Sequence, residues 1–241
     1  MNFNDLIDQL IKLAIDEEEI NYIRMHKQRW FDILELISKL PLNKIKNIKV
    51  LDIGIGGGWI SFLIKRLFNY DIYGVDIKRE ETQRWVDRFN SLGIKFSICD
   101  ITKEKLPYSD NTFDMILFLE VLEHLITSHP PWHVFYEIGR VMKPGSFLIL
   151  STPNAVALHK RMMMLLGKNP FHHGFKDKRS YKKHFREYTV EELKVLEECG
   201  FKIEKICFKN YGFLTSNMIL KLLSLYPRFR DTIIVVAKKN L

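Results

Sequence analysis

One stretch constrains the fold of this chain more than any other: an apolar strand that runs into a glycine turn and then a helix. Ile48 to Ile53 is almost wholly apolar, with Lys49 near its start and Asp52 near its end. Such a strand suits a parallel sheet buried on both faces. Gly54, Gly56 and Gly58 follow. A turn without Cβ atoms lets a ligand lie against bare backbone, and the helix expected from Trp59 points its first amides into the same crevice. The dinucleotide fingerprint GxGxxG requires glycine where Trp59 stands, so that spacing is excluded. Asp52 adds a carboxylate, which repels a pyrophosphate and favours a cationic amino acid or a hydroxyl.

The pattern of strand followed by acid recurs. Asp71 to Asp76 (DIYGVD) ends on an acid at the distance where a doubly wound fold carries its ribose-binding carboxylate. Lys95 to Cys99 is followed by Asp100, and Phe113 to Leu119 (FDMILFL) by Glu120. Strand and helix alternate as far as residue 152, which implies right-handed crossovers and a parallel sheet. All of these acids then fall on one sheet edge, the ligand-binding edge of such folds.

Together these residues resemble the class I methyltransferases that use S-adenosylmethionine (SAM), and in particular the ubiquinone-pathway group. Asp52 to Gly58 is similar to their (D/E)xGxGxG signature, Leu106 to Asp114 to their "LPF.D..FD" block, and Val141 to Leu150 (VMKPGSFLIL) to "R.LKPGG". Ser146 replaces the second glycine of the last block. The resemblance implies a Rossmann-like α/β fold with a doubly wound, seven-stranded, mostly parallel sheet. It also implies site roles. Asp52 with Gly54, Gly56 and Gly58 would hold the methionine part of SAM, and Asp76 with Ile77 the ribose and adenine edge. Asp100 with Ile101 would meet the adenine amino group, and Leu119 would give a backbone contact.

A chain of 241 residues, 46% of them apolar, supports one domain with a single large core. Helical spacing over residues 4 to 40 marks an N-terminal helical cap (1–43), stopped by Pro41. The SAM-binding core follows (44–152), then an insertion after the fifth strand (153–187) and a C-terminal part (188–241). In that last part Thr189 and Glu192 form a capping box for a helix through Glu198, which Gly200 ends. Phe201 to Phe208 and Thr232 to Ala237 read as the last two strands, antiparallel by resemblance, with an apolar helix expected at Phe213 to Tyr226. Cys99, Cys199 and Cys207 lack CxxC spacing and read as free thiols of a reducing compartment. No secretory leader or membrane span is expected, which places the protein in the cytoplasm. The net charge of +8 is spread along the chain, as on a solvated lysine-rich surface, rather than massed as in nucleic-acid binders.

The string Glu120-Val121-Leu122-Glu123-His124 carries the remaining chemistry. If it opens the helix after the fourth strand, Glu120, Glu123 and His124 share one face at the ligand edge. This ExxEH string resembles that of ubiquinone-pathway O-methyltransferases and of small-RNA 2′-O-methyltransferases. In the latter a histidine follows a TPN turn, as His184 follows Thr152-Pro153-Asn154. His124, Glu120 and His184 are therefore the candidate catalytic residues. By resemblance Glu120, Glu123, His124 and His184 are a candidate ligand set for Mg²⁺, Mn²⁺ or Zn²⁺. His159, His172 and His173 are candidates to line the acceptor pocket. The methionine run at 162 to 164 and the apolar stretch from Phe213 hint at a lipidic or aromatic acceptor, or at peripheral membrane contact. The leading function is methyl transfer from SAM to a small molecule, with oxygen the favoured acceptor atom. A metal-dependent RNA 2′-O-methyltransferase and a non-catalytic SAM-binding protein are the alternatives.

Overall fold

The computed structural model describes residues 3–42, 45–78, 81–125, 131–171, 184–211 and 225–241. Two helices, α1 (Phe3–Leu13) and α2 (Glu17–Ser38), precede β1 (Lys49–Ile53). Then come α3 (Trp59–Phe68), β2 (Asp71–Asp76), α4 (Thr82–Leu92), β3 (Lys95–Ile98) and β4 (Phe113–Leu119). After β4 come a 3-10 turn at Leu122–His124, α5 (Trp132–Val141) and β5 (Met142–Pro153). The remainder is α6 (Leu158–Leu165), α7 (Val190–Leu193), α8 (Val195–Glu198), β6 (Phe201–Lys209), a 3-10 turn at Pro227–Phe229 and β7 (Thr232–Lys239).

The strands form one seven-stranded sheet in the order β3-β2-β1-β4-β5-β7-β6. Pairing is parallel from β3 to β5, whereas β7 runs antiparallel to both β5 and β6. The direction of chain travel reverses its sideways course between β1 and β4. The carboxyl ends of those two strands therefore flank the topological switch point where such sheets bind ligands. Two apolar layers cover the sheet. One is built from α1 to α4, with Ile23, Ile33, Phe62, Leu63 and Phe89 against Val50, Met115 and Ile149. The other joins α5, α7 and α8 to the opposite face, with Phe135, Ile138 and Leu196 against Leu51, Ile116 and Leu148.

Three local expectations change. The strand expected at Lys95 to Cys99 stops at Ile98. The helix expected from Thr189 through Glu198 is two short helices meeting at Lys194, although the Thr189/Glu192 capping box is present. No helix opens at Glu120, whose φ is +56°. The helix expected at Phe213 to Tyr226 lies mostly outside the described residues, as do His172 and His173. No helix among the described residues is long and apolar enough to cross a membrane.

Candidate functional site

The glycine turn divides into packed and open positions. Gly54, Gly56 and Gly58 all have positive φ, at 74°, 52° and 78°. A Cβ on Gly54 would sit 2.4 Å from Val121, and one on Gly58 would sit 2.4 Å from Phe89. Both glycines are thus required by the protein's own packing. A Cβ on Gly56 would meet nothing within 4 Å. This glycine borders open space.

The acids take distinct places around the turn. Asp52 is 3% exposed and accepts a 2.7 Å hydrogen bond from Ser61 Oγ in α3. Burial, with the nearby Asp76 charge, pushes its carboxyl up to about 7 against the opposing effect of Ser61. Asp76 accepts from Gly56 N at 2.9 Å and from Ile77 N at 2.8 Å. Asp100 is fixed by Thr102 (2.6 Å) and Lys103 (2.8 Å), and these partners outweigh burial to hold it below the usual carboxylate range. Ile77 is exposed at this edge and Ile101 buried.

The second half of the site lies past β4. Glu120 adopts a left-handed backbone, rare outside glycine. Its carboxylate accepts from Ser151 Oγ at 2.7 Å and pairs with Arg29 of α2 at 3.2 Å. Glu123 turns the other way, fully buried, and accepts from Thr152 Oγ1 at 3.1 Å. Burial first, and then the charge of Glu120, push the Glu123 carboxyl well above its ordinary value. Its Oε1 has no partner among the described residues. The expectation that Glu120, Glu123 and His124 share one helical face therefore fails, because Glu120 precedes a 3-10 turn rather than opening a helix.

The same turn gathers residues distant in sequence. The Glu123 carbonyl accepts from Phe185 N at 2.7 Å, which draws His184 alongside His124 with ring centroids 4.9 Å apart. Ligand atoms of Glu123, His124 and His184 all lie within 4.8 Å of one another. Glu120 is outside this group. The fourfold ion set read from sequence thus reduces to three, with Glu120 engaged by Arg29 and Ser151.

Several contributors carried no local sequence signal. Glu187 Oε1 lies 3.2 Å from His184 Nδ1, and Glu187 forms a buried ion pair with Lys160 of α6. Burial alone would raise the Glu187 carboxyl, but His184 and Lys160 together lower it. Lys160 Nζ also donates to the Asn154 carbonyl at 3.0 Å, so the insertion helix is anchored to the TPN turn. Asn154 is itself tied by donation to the Arg228 and Arg230 carbonyls. His159 is half-buried in α6, and burial followed by Lys160 lowers its pKa.

The chain resembles known proteins in both sequence and fold. A family model for a methyltransferase domain matches residues 51–150. The ubiquinone biosynthesis O-methyltransferase of Proteus mirabilis is 29% identical over 156 residues, 58% of this chain and 61% of that protein. The 27-O-demethylrifamycin SV methyltransferase of Amycolatopsis mediterranei is 27% identical over 180 residues, 69% of this chain and 63% of that protein. The chain thus spans under two thirds of the length of these relatives. In fold it is similar to a SAM-dependent methyltransferase of Archaeoglobus fulgidus, with a TM-score of 0.61 and 19% identity over 93% of this chain and all of that one.

Proposed function

The chain belongs to the class I SAM-dependent methyltransferases, and from that premise we propose that it methylates a small-molecule acceptor at oxygen. The observation that carries the reading is the meeting of two half-sites at one sheet edge. One is the open Gly56 position with Asp76, and the other is the His124–His184 pair beyond β4.

Bound SAM supplies a methyl group already activated on a sulfonium, so the protein's tasks are alignment, exclusion of water and removal of one proton. Asp76 and the Ile77 edge receive the ribose, Asp100 and Ile101 the adenine side, and Gly54, Gly56, Gly58 and Leu119 offer backbone to the methionine part. Asp52 acts from behind this surface, since its carboxyl is buried against Ser61. His184, with Nδ1 3.2 Å from Glu187 Oε1 and with His124 beside it, is the imidazole that takes the acceptor's proton. Glu120 and Arg29 form the opposite wall. Small-molecule O-methylation also agrees with what the two curated relatives are named for, and neither of those names describes an RNA acceptor.

Support for a lipidic acceptor comes from α6 and the residue after it. Met162, Met164, Leu165 and Leu166 are 46 to 86% exposed, beside the cations Arg161 and Lys168. That surface suits peripheral contact with a membrane carrying an apolar substrate. Three free cysteines accord with a reducing, cytoplasmic setting. Calorimetric titration with SAM is the first test. Binding is expected in wild type and at least tenfold weaker in Asp76→Ala, and the reading fails if wild type gives no binding or both bind equally.

The clustering of Glu123, His124 and His184 favours a second reading, that of a divalent cation acting on the acceptor oxygen. Two imidazoles and a buried carboxylate with an unpartnered oxygen fit such an ion. It predicts that EDTA abolishes turnover and that Mn²⁺ or Mg²⁺ restores it. Full turnover in EDTA would overturn this second reading.

A further inference from the structure

The peptides of the glycine turn are fixed one by one. Gly54 N and Ile55 N donate to the Val75 carbonyl, Gly56 N donates to Asp76, and Gly58 N donates back to the Ile55 carbonyl at 2.9 Å. That last bond closes a β-turn over residues 55–58, with Gly56 at a positive-φ corner. The Gly57 carbonyl takes a partner from another element. It accepts from Arg88 Nη1 of α4 at 3.1 Å. The peptide between Gly57 and Gly58 is thereby held at both its oxygen and its nitrogen.

Arg88 is a costly residue to place there. Its side chain is 5% exposed, and a buried guanidinium must have its arms engaged. Nη2 pairs with Glu19 of α2 at 2.6 Å, and the guanidinium lies over the Trp59 ring, 4.2 Å from the centroid. Glu19 is fixed in its turn, since its Oε2 accepts from Ile15 N and its own amide donates to Asp16 Oδ1, both at 2.9 Å. Trp59 fills the space beside Gly57, where a Cβ would sit 2.7 Å from the indole. A buried ion pair adds little to stability over apolar packing of the same volume. What apolar packing cannot supply is a donor for the Gly57 carbonyl.

We propose that Arg88 is a positioning residue for the methyl donor: paired with Glu19 of the cap, it holds the Gly57–Gly58 peptide in place in the ligand-free protein, so that Gly56 and Asp76 present one fixed surface to SAM. Arg88 touches neither cofactor nor acceptor in this account and acts through the turn alone. Glycine has more backbone freedom to lose than any other residue. Without the Arg88 bond that loss falls on the binding step, and affinity drops by the weight of ordering about one residue, roughly tenfold. The inference rests on the methyltransferase reading and extends it by giving the N-terminal cap a part in cofactor affinity.

Calorimetric titration of wild type with SAM comes first, and no binding would bring down the methyltransferase reading and this proposal with it. The deciding variant is Glu19→Leu/Arg88→Met, which replaces the ion pair by apolar side chains. It is expected to melt within about 4 °C of wild type, yet to bind SAM roughly tenfold more weakly. A purely structural role for Arg88 predicts instead that affinity returns with stability. Arg88→Lys keeps a charge for Glu19 but lacks the rigid second arm for Gly57, so it should melt like wild type and bind SAM about threefold more weakly. This variant decides the matter if the double variant does not fold. Wild-type affinity for SAM in the folded double variant, or in Arg88→Lys where the double variant does not fold, would overturn the proposal.

Discussion

Asp52 offers a quantitative test of how this site is built. Its carboxyl is 3% exposed and pushed to about 7 by burial, with a further push from Asp76. A carboxyl with a raised pKa holds its proton more tightly folded than unfolded. Its contribution to stability is therefore greatest at low pH and is lost as pH rises from the unfolded value near 4 through about 7. Between pH 5 and pH 8 the loss covers about two pKa units, which at about 1.4 kcal/mol per unit is about 3 kcal/mol. The amide introduced by Asp52→Asn cannot titrate and can still accept from Ser61 Oγ. Any fixed cost of seating the amide is the same at both pH values, so the comparison is the change in the gap between variant and wild type.

Thermal melts of Asp52→Asn and wild type, without SAM, supply that comparison. For a chain of this size about 3 kcal/mol corresponds to roughly 6–12 °C. The Tm of the variant relative to wild type should rise by up to that amount from pH 5 to pH 8. A gap that stays constant within about 1 °C would show that Asp52 is ionised and solvated in the folded protein, and the account of a buried carboxyl behind the cofactor surface would be refuted.

Two further substitutions probe the turn and the insertion. Gly58→Ala places a methyl against Phe89 at a φ of +78° and should cost about 2–3 kcal/mol in urea unfolding. Gly56→Ala meets no neighbour and should cost only about 1 kcal/mol for its backbone, yet weaken SAM binding at least tenfold by calorimetry. Lys160→Met removes the cation facing buried Glu187 and should cost about 3–5 kcal/mol, much of it recovered in Lys160→Met/Glu187→Leu. If the double variant is no more stable than the single one, Glu187 is not the reason Lys160 is buried.

What could be read in the chain follows from how each feature is encoded. β1 and β4 were legible because a strand buried on both faces is a nearly unbroken apolar run, whereas β2 and the edge strand β3 were marked chiefly by the acid that closes or follows them. Their ends moved by only a residue or two. The glycine turn was legible in type, but not in the division of labour between packed Gly54 and Gly58 and open Gly56, which depends on Val121 and Phe89 arriving from elsewhere. The helix expected at Glu120 fails for a related reason. Glu120 to His124 has helical spacing and good helix formers, yet Ser151, Arg29 and the packing of Val121 on Gly54 hold Glu120 in a left-handed turn. Tertiary contacts overrode local propensity.

The sequence reading builds the acceptor pocket from the N-terminal cap and the 155 to 187 insertion, and the same logic explains why it could name no residue of the cap as part of the site. Near its start α2 offers Glu19, which binds Arg88 at 2.6 Å, and Arg88 in turn donates to the Gly57 carbonyl and lies over Trp59. Further along the helix Arg29 binds Glu120. At a rise of about 1.5 Å per residue these anchors are about 15 Å apart, and the first meets the glycine turn while the second meets the end of β4. An amphipathic helix needs only its apolar stripe to be recognised, and Ile23, Trp30, Ile33 and Ile37 supply that. Its polar anchors look like ordinary surface charges until the sheet places their partners. Those partners are Arg88, which bonds the glycine turn, and Glu120 just past β4, so one helix ties the two segments to the same rigid element.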